Sequence, residues 1–354
     1  MGNLKLNETP VRTSRNFNIN NIKLDNIDIP ENIEKFENIK IIGEDSKTYI
    51  DSNIEEVNFK YGLGDILTNQ VNNNSNAKLK LDINSKSNKE IILEFKIDKS
   101  NLNLIENIQI TANENVKETL IIKYESENDV KAFHNGLINV IAKKNSDLSI
   151  VIVNLLNEKS NNFISIQNTI EENAKVKYTI VDFGGKNSVT NYYSDLRGEK
   201  SDNRLNTIYI GKEDQVFDLN YIGELRGEKS NIDIDVQGAL SGHAKKNFKG
   251  TIDFKKGCKK ASGNENENCM LLSDTAKSLA LPMLLCSEED VEGNHSSSAG
   301  KIGEKELFYI MSRGFELKEA MKLMVRAKFN KILENIENEE LKSQILEEID
   351  ERLD

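Results

Sequence analysis

A six-residue string occurs twice in this chain: Leu196-Arg197-Gly198-Glu199-Lys200-Ser201 returns 29 residues later as Leu225-Arg226-Gly227-Glu228-Lys229-Ser230. An offset of that size is what a solenoid produces when successive coils place the same turn one above another. Around the repeat, from about residue 52 to 302, short apolar runs alternate with polar turns: 78–83, 91–97, 120–124, 148–155, 163–170 and 176–181. Several of them, such as Leu79-Lys80-Leu81-Asp82-Ile83, carry the period of two that marks half-buried strands. No helical period interrupts them, so this region reads as all-β. Strand spacing leaves sandwich, barrel and solenoid open, and the repeat favours the solenoid. The repeated string is no phosphate loop, because the Gly-x-x-x-x-Gly-Lys-Ser spacing is absent.

The flanks differ from this middle. Residues 1–51 are polar and irregular with short apolar islands at 22–24 and 39–42, and read as a loosely organised lead-in. From about 303 the period becomes helical. Glu306 to Met311 leads into Ser312-Arg313-Gly314, with Gly314 at the position just past a helix end. An amphipathic stretch spans 317–336, and another spans 339–353 with Leu341, Ile345, Ile349 and Leu353 on one face. The expected organisation is therefore an N-terminal segment (1–51), a β core (52–302) and a helical tail (303–354).

Charge and composition exclude several roles. With 47 basic and 58 acidic residues the net charge is -11, and no basic face marks nucleic acid as a partner. The N-terminus lacks an apolar leader, and no uncharged run approaches the roughly 18 residues of a membrane span, so a soluble intracellular protein is expected. Leu6 stands where a myristoylation signal wants Ser or Thr. Cys258, Cys269 and Cys286 have neither CxxC spacing nor a nearby histidine, which argues against a disulfide framework or structural zinc and for reduced, partly buried thiols. Asparagine, isoleucine and lysine abound throughout, from which no function is drawn.

The stretch from Phe248 to Gly314 is more specific. In order it contains Phe248-Lys249-Gly250-Thr251-Ile252, Ala261 to Asn266, Leu271-Leu272-Ser273-Asp274, Pro282-Met283-Leu284, Glu289 to Gly300, and Leu307-Phe308-Tyr309 to Ser312-Arg313-Gly314. This succession resembles the C-terminal signature of the SufB/SufD family of the iron-sulfur cluster assembly machinery. The resemblance implies a right-handed parallel β-helix with terminal helical segments. It implies a scaffold subunit, not an enzyme, that pairs with a SufB-like paralogue or with itself and carries a SufC-like ABC ATPase.

Within the family the chain is more similar to SufD than to SufB. The SufB position that bears a cluster-assembly cysteine falls on Glu267, the carboxylate following the family histidine is Ser296, and Gly293 stands where SufD relatives often carry a cysteine. His295 matches the SufD histidine proposed to lie at the interface with SufB, and an imidazole there is a candidate ligand to a transient cluster. Cys269, two residues beyond Glu267 and on the same strand face, is a weaker candidate. His134 and His243 lack any such context and read as ordinary surface or strand histidines, and Cys286 as a buried inert thiol. Phe308, Tyr309, Ser312, Arg313, Gly314, Ala320 and Leu323 match the region through which the family docks its ATPase. No cofactor is expected to be bound tightly by the isolated chain, and flavin in the assembled complex is left open. The rival readings are a homo-oligomeric structural solenoid and a polysaccharide-degrading β-helix protein, the second disfavoured by dispersed carboxylates.

Overall fold

The computed structural model describes residues 2–13, 18–31, 33–43, 48–51, 54, 56–84 and 90–354. Four short strands come first: β1 (Gly2–Leu6), β2 (Ile22–Ile27), β3 (Ile39–Ile42) and β4 (Thr48–Asp51), followed by helix α1 (Asp65–Asn74). Sixteen strands then wind eight coils, two strands to a coil. The first four coils are β5 (Ala77–Ile83) with β6 (Ile91–Ile97), β7 (Asn103–Ala112) with β8 (Lys117–Ser126), β9 (Phe133–Ala142) with β10 (Asp147–Leu155), and β11 (Asn161–Ile170) with β12 (Lys175–Asp182). The last four are β13 (Asn187–Leu196) with β14 (Asp202–Gly211), β15 (Val216–Leu225) with β16 (Asn231–Leu240), β17 (Lys245–Phe254) with β18 (Ala261–Leu271), and β19 (Lys277–Cys286) with β20 (Val291–Lys301). Helices α2 (Glu304–Ser312), α3 (Leu317–Leu333) and α4 (Glu339–Leu353) close the chain.

Odd-numbered strands from β5 stack in one nine-stranded sheet with β4 at its end, and even-numbered strands from β6 stack in the other with β3 at its end. Every coil-to-coil pairing is parallel, while β3 and β4 join antiparallel. This is a parallel β-solenoid. Alternation explains why the runs fold this way: Ile108, Ile110, Ile138, Val140, Ile150 and Ile152 point between the two sheets and stack from coil to coil. Burying an aliphatic side chain of this kind contributes about 1.5–3 kcal/mol.

Both outer sheet faces are covered. Val325, Phe329 and Ile332 of α3 with Leu341, Ile345 and Ile349 of α4 pack on Val151, Val153, Val181, Ile208 and Ile210 of the even sheet. The two helices start cleanly, α3 with a reciprocal Glu316/Glu319 box and α4 with the Asn338 side chain accepting from the Leu341 amide. On the odd sheet, Leu4, Leu6, Ile22 and Leu24 of β1 and β2 and Leu67 and Val71 of α1 cover Ile105, Phe133, Leu137 and Phe163.

The repeated string has a structural reason. Gly198 and Gly227 lie in turns that stack so closely that a Cβ on Gly227 would sit 1.8 Å from the Gly198 carbonyl oxygen. Ser201 and Ser230 each donate to the glycine carbonyl three residues back. Residues in the left-handed region recur at this turn in coil after coil: Asn115, Asn145, Asn173, Lys200, Lys229 and Lys260. Asparagine adopts that conformation readily, and the side chains of Asn145 and Asn173 bond back to Asn115 and Asn145 at 3.0 and 2.9 Å.

Two expectations need correction. The stretch after residue 52 is not all-β, because Asp65–Asn74 is helical and buries Leu67, Gln70 and Val71 against the odd sheet. The described N-terminal residues are packed, not loosely organised. Asn7 is buried with its side-chain amide donating to Asp218 at 2.7 Å and its carbonyl accepting from Lys249 at 2.9 Å. Both partners of that Lys249–Asp218 pair are fully buried.

Candidate functional site

The solenoid has two unlike ends. At one end the edge strands are β3 and β4, four residues each and antiparallel to their neighbours; at the other they are β19 and β20, ten and eleven residues long, with no coil beyond them. All of β20 after Val291 is exposed, and most of β19 is exposed or only half-buried. His295 stands on β20, directly in register with Glu265 of the coil beneath. Its neighbour two residues on, Ser297, donates to Glu267 Oε2 at 2.7 Å, so strand alternation puts His295 on the same inward face. In any earlier coil that face would be core. Here the lack of a following coil leaves the imidazole exposed.

Beneath it the interior is unusually polar. Glu267 is fully buried and accepts from Lys246 Nζ at 2.6 Å and from the Tyr209 hydroxyl at 3.4 Å. Lys246 is itself fully buried and also reaches the Leu279 carbonyl. Glu265 is almost as deeply buried, and neither of its carboxylate oxygens has a hydrogen-bond partner. Burial first, then the Glu267 charge, pushes its pKa up to about 8. Cys269 points into the hydrophobic interior at 1% exposure, and burial raises its thiol pKa.

The arrangement corrects part of the expected ligand set. Cys269 does share a face with Glu267, but that face is the closed interior of the coil, and a buried protonated thiol is a poor ligand for an ion arriving from solvent. Cys286, expected to be buried, is exposed at the end of β19, whereas Cys258 is buried. Among the described residues, no group of three or more His, Cys, Asp or Glu side chains is placed to hold a metal ion. His295 is thus an isolated, accessible imidazole at an open edge.

His134, expected to be ordinary, lies wholly inside the solenoid on β9. Its Nδ1 is 2.7 Å from Asn162 Oδ1 and its Nε2 is 3.4 Å from Glu106. A polar chain continues through Asn162, Ser188, Asp182 and Asn154, where burial pushes the Asp182 carboxyl up to about 6. Counting alternation back from Ala142, Val140 and Ile138 puts position 134 on the inward face, so the strand period did carry this signal. Glu265 and Lys246 were missed because each coil end must be placed before its inward residues can be paired.

At the tail, α2 buries no residue, and Phe308, Tyr309, Met311, Phe315 and Leu317 are exposed, Phe308 to 75%. Leu323 of α3 is exposed too. Arg313 lies over the Tyr309 ring and donates to its hydroxyl at 3.1 Å, while Ser312 donates to the Tyr309 carbonyl. Gly314 closes the helix with a φ of 99°. Ala320 is the exception: it is completely buried, on the helix against which α2 packs, and offers nothing to a partner.

A family model described as "SUF system FeS cluster assembly, SufBD core domain" matches residues 95–328, about two thirds of the chain. The chain belongs to the SufB/SufD family. It is 22% identical over 252 residues to the iron-sulfur cluster assembly protein SufD of Bacillus subtilis, covering 71% of this chain and 58% of that protein. Against the SufD of Escherichia coli it is 24% identical over 240 residues, 68% of this chain and 57% of the other. An iron-sulfur cluster assembly SufBD family protein of Pyrococcus horikoshii is 28% identical over 179 residues, 47% and 37% of the two chains. The chain therefore spans less than three fifths of the two SufD proteins it matches. The SufBD match takes in the solenoid from β6 through β20 and the start of the tail, including His295 and the exposed face of α2. Among the described residues no helix is long and apolar enough to cross a membrane.

Proposed function

We propose that this chain is a SufD-like scaffold subunit for iron-sulfur cluster assembly and that its open solenoid end is its pairing surface. The observation that carries this reading is the asymmetry of the ends, one finishing in short antiparallel strands and the other leaving the long strands β19 and β20 with uncovered edges. Uncovered edges of this length pair with another chain unless they are blocked. The occupant is a SufB-like paralogue or, in its absence, a second copy. A cluster is the cargo, built at that junction. His295 supplies one ligand from this side, and thiolates on the partner supply the rest.

The exposed apolar face of α2 and the start of α3 is the docking site for a SufC-like ABC ATPase. Contiguous exposed aromatic and aliphatic side chains of this kind mark interaction surfaces. ATP-driven closure of two such ATPases shifts the subunits relative to each other and changes access to His295, a bias between two states that rests on differential affinity. The subunit itself hydrolyses nothing, and no tightly bound cofactor is assigned to it.

Co-purification with the SufC-type ATPase of the same genome tests the reading, using the intact chain, a chain ending at Ile302, and Phe308→Ala. Retention by the intact chain, loss on truncation and weakening by about 10- to 100-fold for Phe308→Ala are expected. Equal retention of all three would sink the docking assignment. Failure of the intact chain to bind would remove the scaffold reading as well.

A further inference from the structure

On the outer face of the odd sheet, one coil below the open end, the β1–β2 ribbon and strands β15 and β17 border a cavity of about 840 Å³. Four cations line it, Lys5, Arg12, Lys23 and Lys245, together with four asparagines, and no described acidic side chain does. Glu8 bonds to both Lys5 and Arg12 at its margin. Lys5 and Arg12 share that one carboxylate, which leaves the lining with a surplus of three positive charges, in a chain whose net charge is -11. Asp218 beneath the cavity is neutralised by the buried Lys249, while Asp25 opens onto a neighbouring cavity that Lys23 also borders, with Glu158, Glu213 and Asp214 around it.

Strand register adds an independent observation. Lys5 and Lys23 are direct cross-strand partners in the antiparallel β1–β2 pair, both on its exposed side. Like charges directly opposite each other destabilise a two-stranded ribbon, and here Glu8 offsets the charge of Lys5 but not that of Lys23. A ribbon of this size, tied down by the burial of Leu4, Leu6, Ile22 and Leu24, tolerates the repulsion without needing it. An anion seated between the two ammonium groups converts the repulsion into attraction.

We propose that this cavity binds a small phosphate ester carrying at least two phosphate groups, of nucleotide size. A surplus of three positive charges matches a diphosphate. Lysine and arginine are the usual phosphate binders, and the side chains of Asn18 and Asn21 supply amide donors. The volume exceeds what an inorganic ion fills and lies within the range of small-molecule sites, and Val216 with the edges of Ile22 and Leu24 gives one apolar wall. Pyrophosphate and ADP share the chemistry, and the apolar wall favours the larger.

Isothermal titration of the full chain with pyrophosphate and with ADP tests the proposal. Saturable one-site binding of at least one probe is expected, weakening as salt is raised from 50 to 300 mM and falling 10-fold or more in the Lys23→Gln/Lys245→Gln variant. Lys99→Gln, an exposed charge elsewhere, leaves it unchanged. Without ligand the double variant should melt no lower than the parent, because it relieves the Lys5/Lys23 repulsion. The proposal is overturned by the absence of saturable binding of either probe at millimolar concentration, by binding that survives in the double variant, or by a double variant that melts lower than the parent.

Discussion

Glu265 is a carboxyl group placed where water does not reach and where no donor meets it, directly under the exposed His295. Its ordinary pKa of 4.5 in the unfolded chain is raised to about 8 in the folded one. Between those values the folded state holds a proton that the unfolded state has lost, so the group's contribution to stability is complete below about pH 4.5 and is lost as pH rises toward 8. Glu265→Gln keeps the shape and removes the titration. The variant should therefore gain stability over the parent as pH increases from 5 to 8, by at most about 1.4 kcal/mol per pH unit. Urea midpoints of both proteins at four pH values measure this, and a difference independent of pH would show that the carboxyl is solvated.

At the scale of elements, the repeated turn decides how tightly coils stack. Gly227 allows its turn to lie against the Gly198 carbonyl, and any Cβ there meets backbone, which does not yield as a flexible side chain does. Gly227→Ala should therefore cost about 1–3 kcal/mol, seen as a lower urea midpoint. An unchanged midpoint would mean that the turns slide apart freely. The asparagine ladder of the earlier coils does the same work with a different residue. Asparagine tolerates the left-handed conformation and bonds to its equivalent one coil away. The abundance of asparagine, from which the sequence alone licensed nothing, thus has a structural component at these turns.

For the whole molecule, the distribution of covers is the informative feature. Helices α3 and α4 protect one sheet face, the β1–β2 ribbon and α1 protect the other, and one end finishes in the short antiparallel strands β3 and β4, which leaves β19 and β20 as the long uncovered edges among the described residues. In the absence of a paralogue the isolated chain should show a concentration-dependent monomer-dimer equilibrium in sedimentation velocity. Lysines in place of Ser296 and Ser298, both exposed on β20, should suppress it while changing the urea midpoint by no more than about 0.5 kcal/mol equivalent. Dimers unaffected by the two lysines would place self-association elsewhere.

Much of this organisation was legible before any coordinates. The strand at 91–97 and the helix at 339–353 lie where the periodicities place them, and the duplicated turn at 196–201 and 225–230 does mark stacked coils. Alternation, helical period and repeat offset are local properties of the chain, and the family signature between 248 and 314 is a local string, so these were open to reading. What the tertiary structure alone decided is non-local. It placed the Lys246–Glu267 pair inside the core, left Glu265 without a partner, buried Ala320 and Cys269, and exposed Cys286. It set Lys5 opposite Lys23 above a strand more than 200 residues away. Each of those outcomes depends on which coil follows which and on what covers a face, and burial and charge pairing are properties of that assembly, not of the residues one at a time.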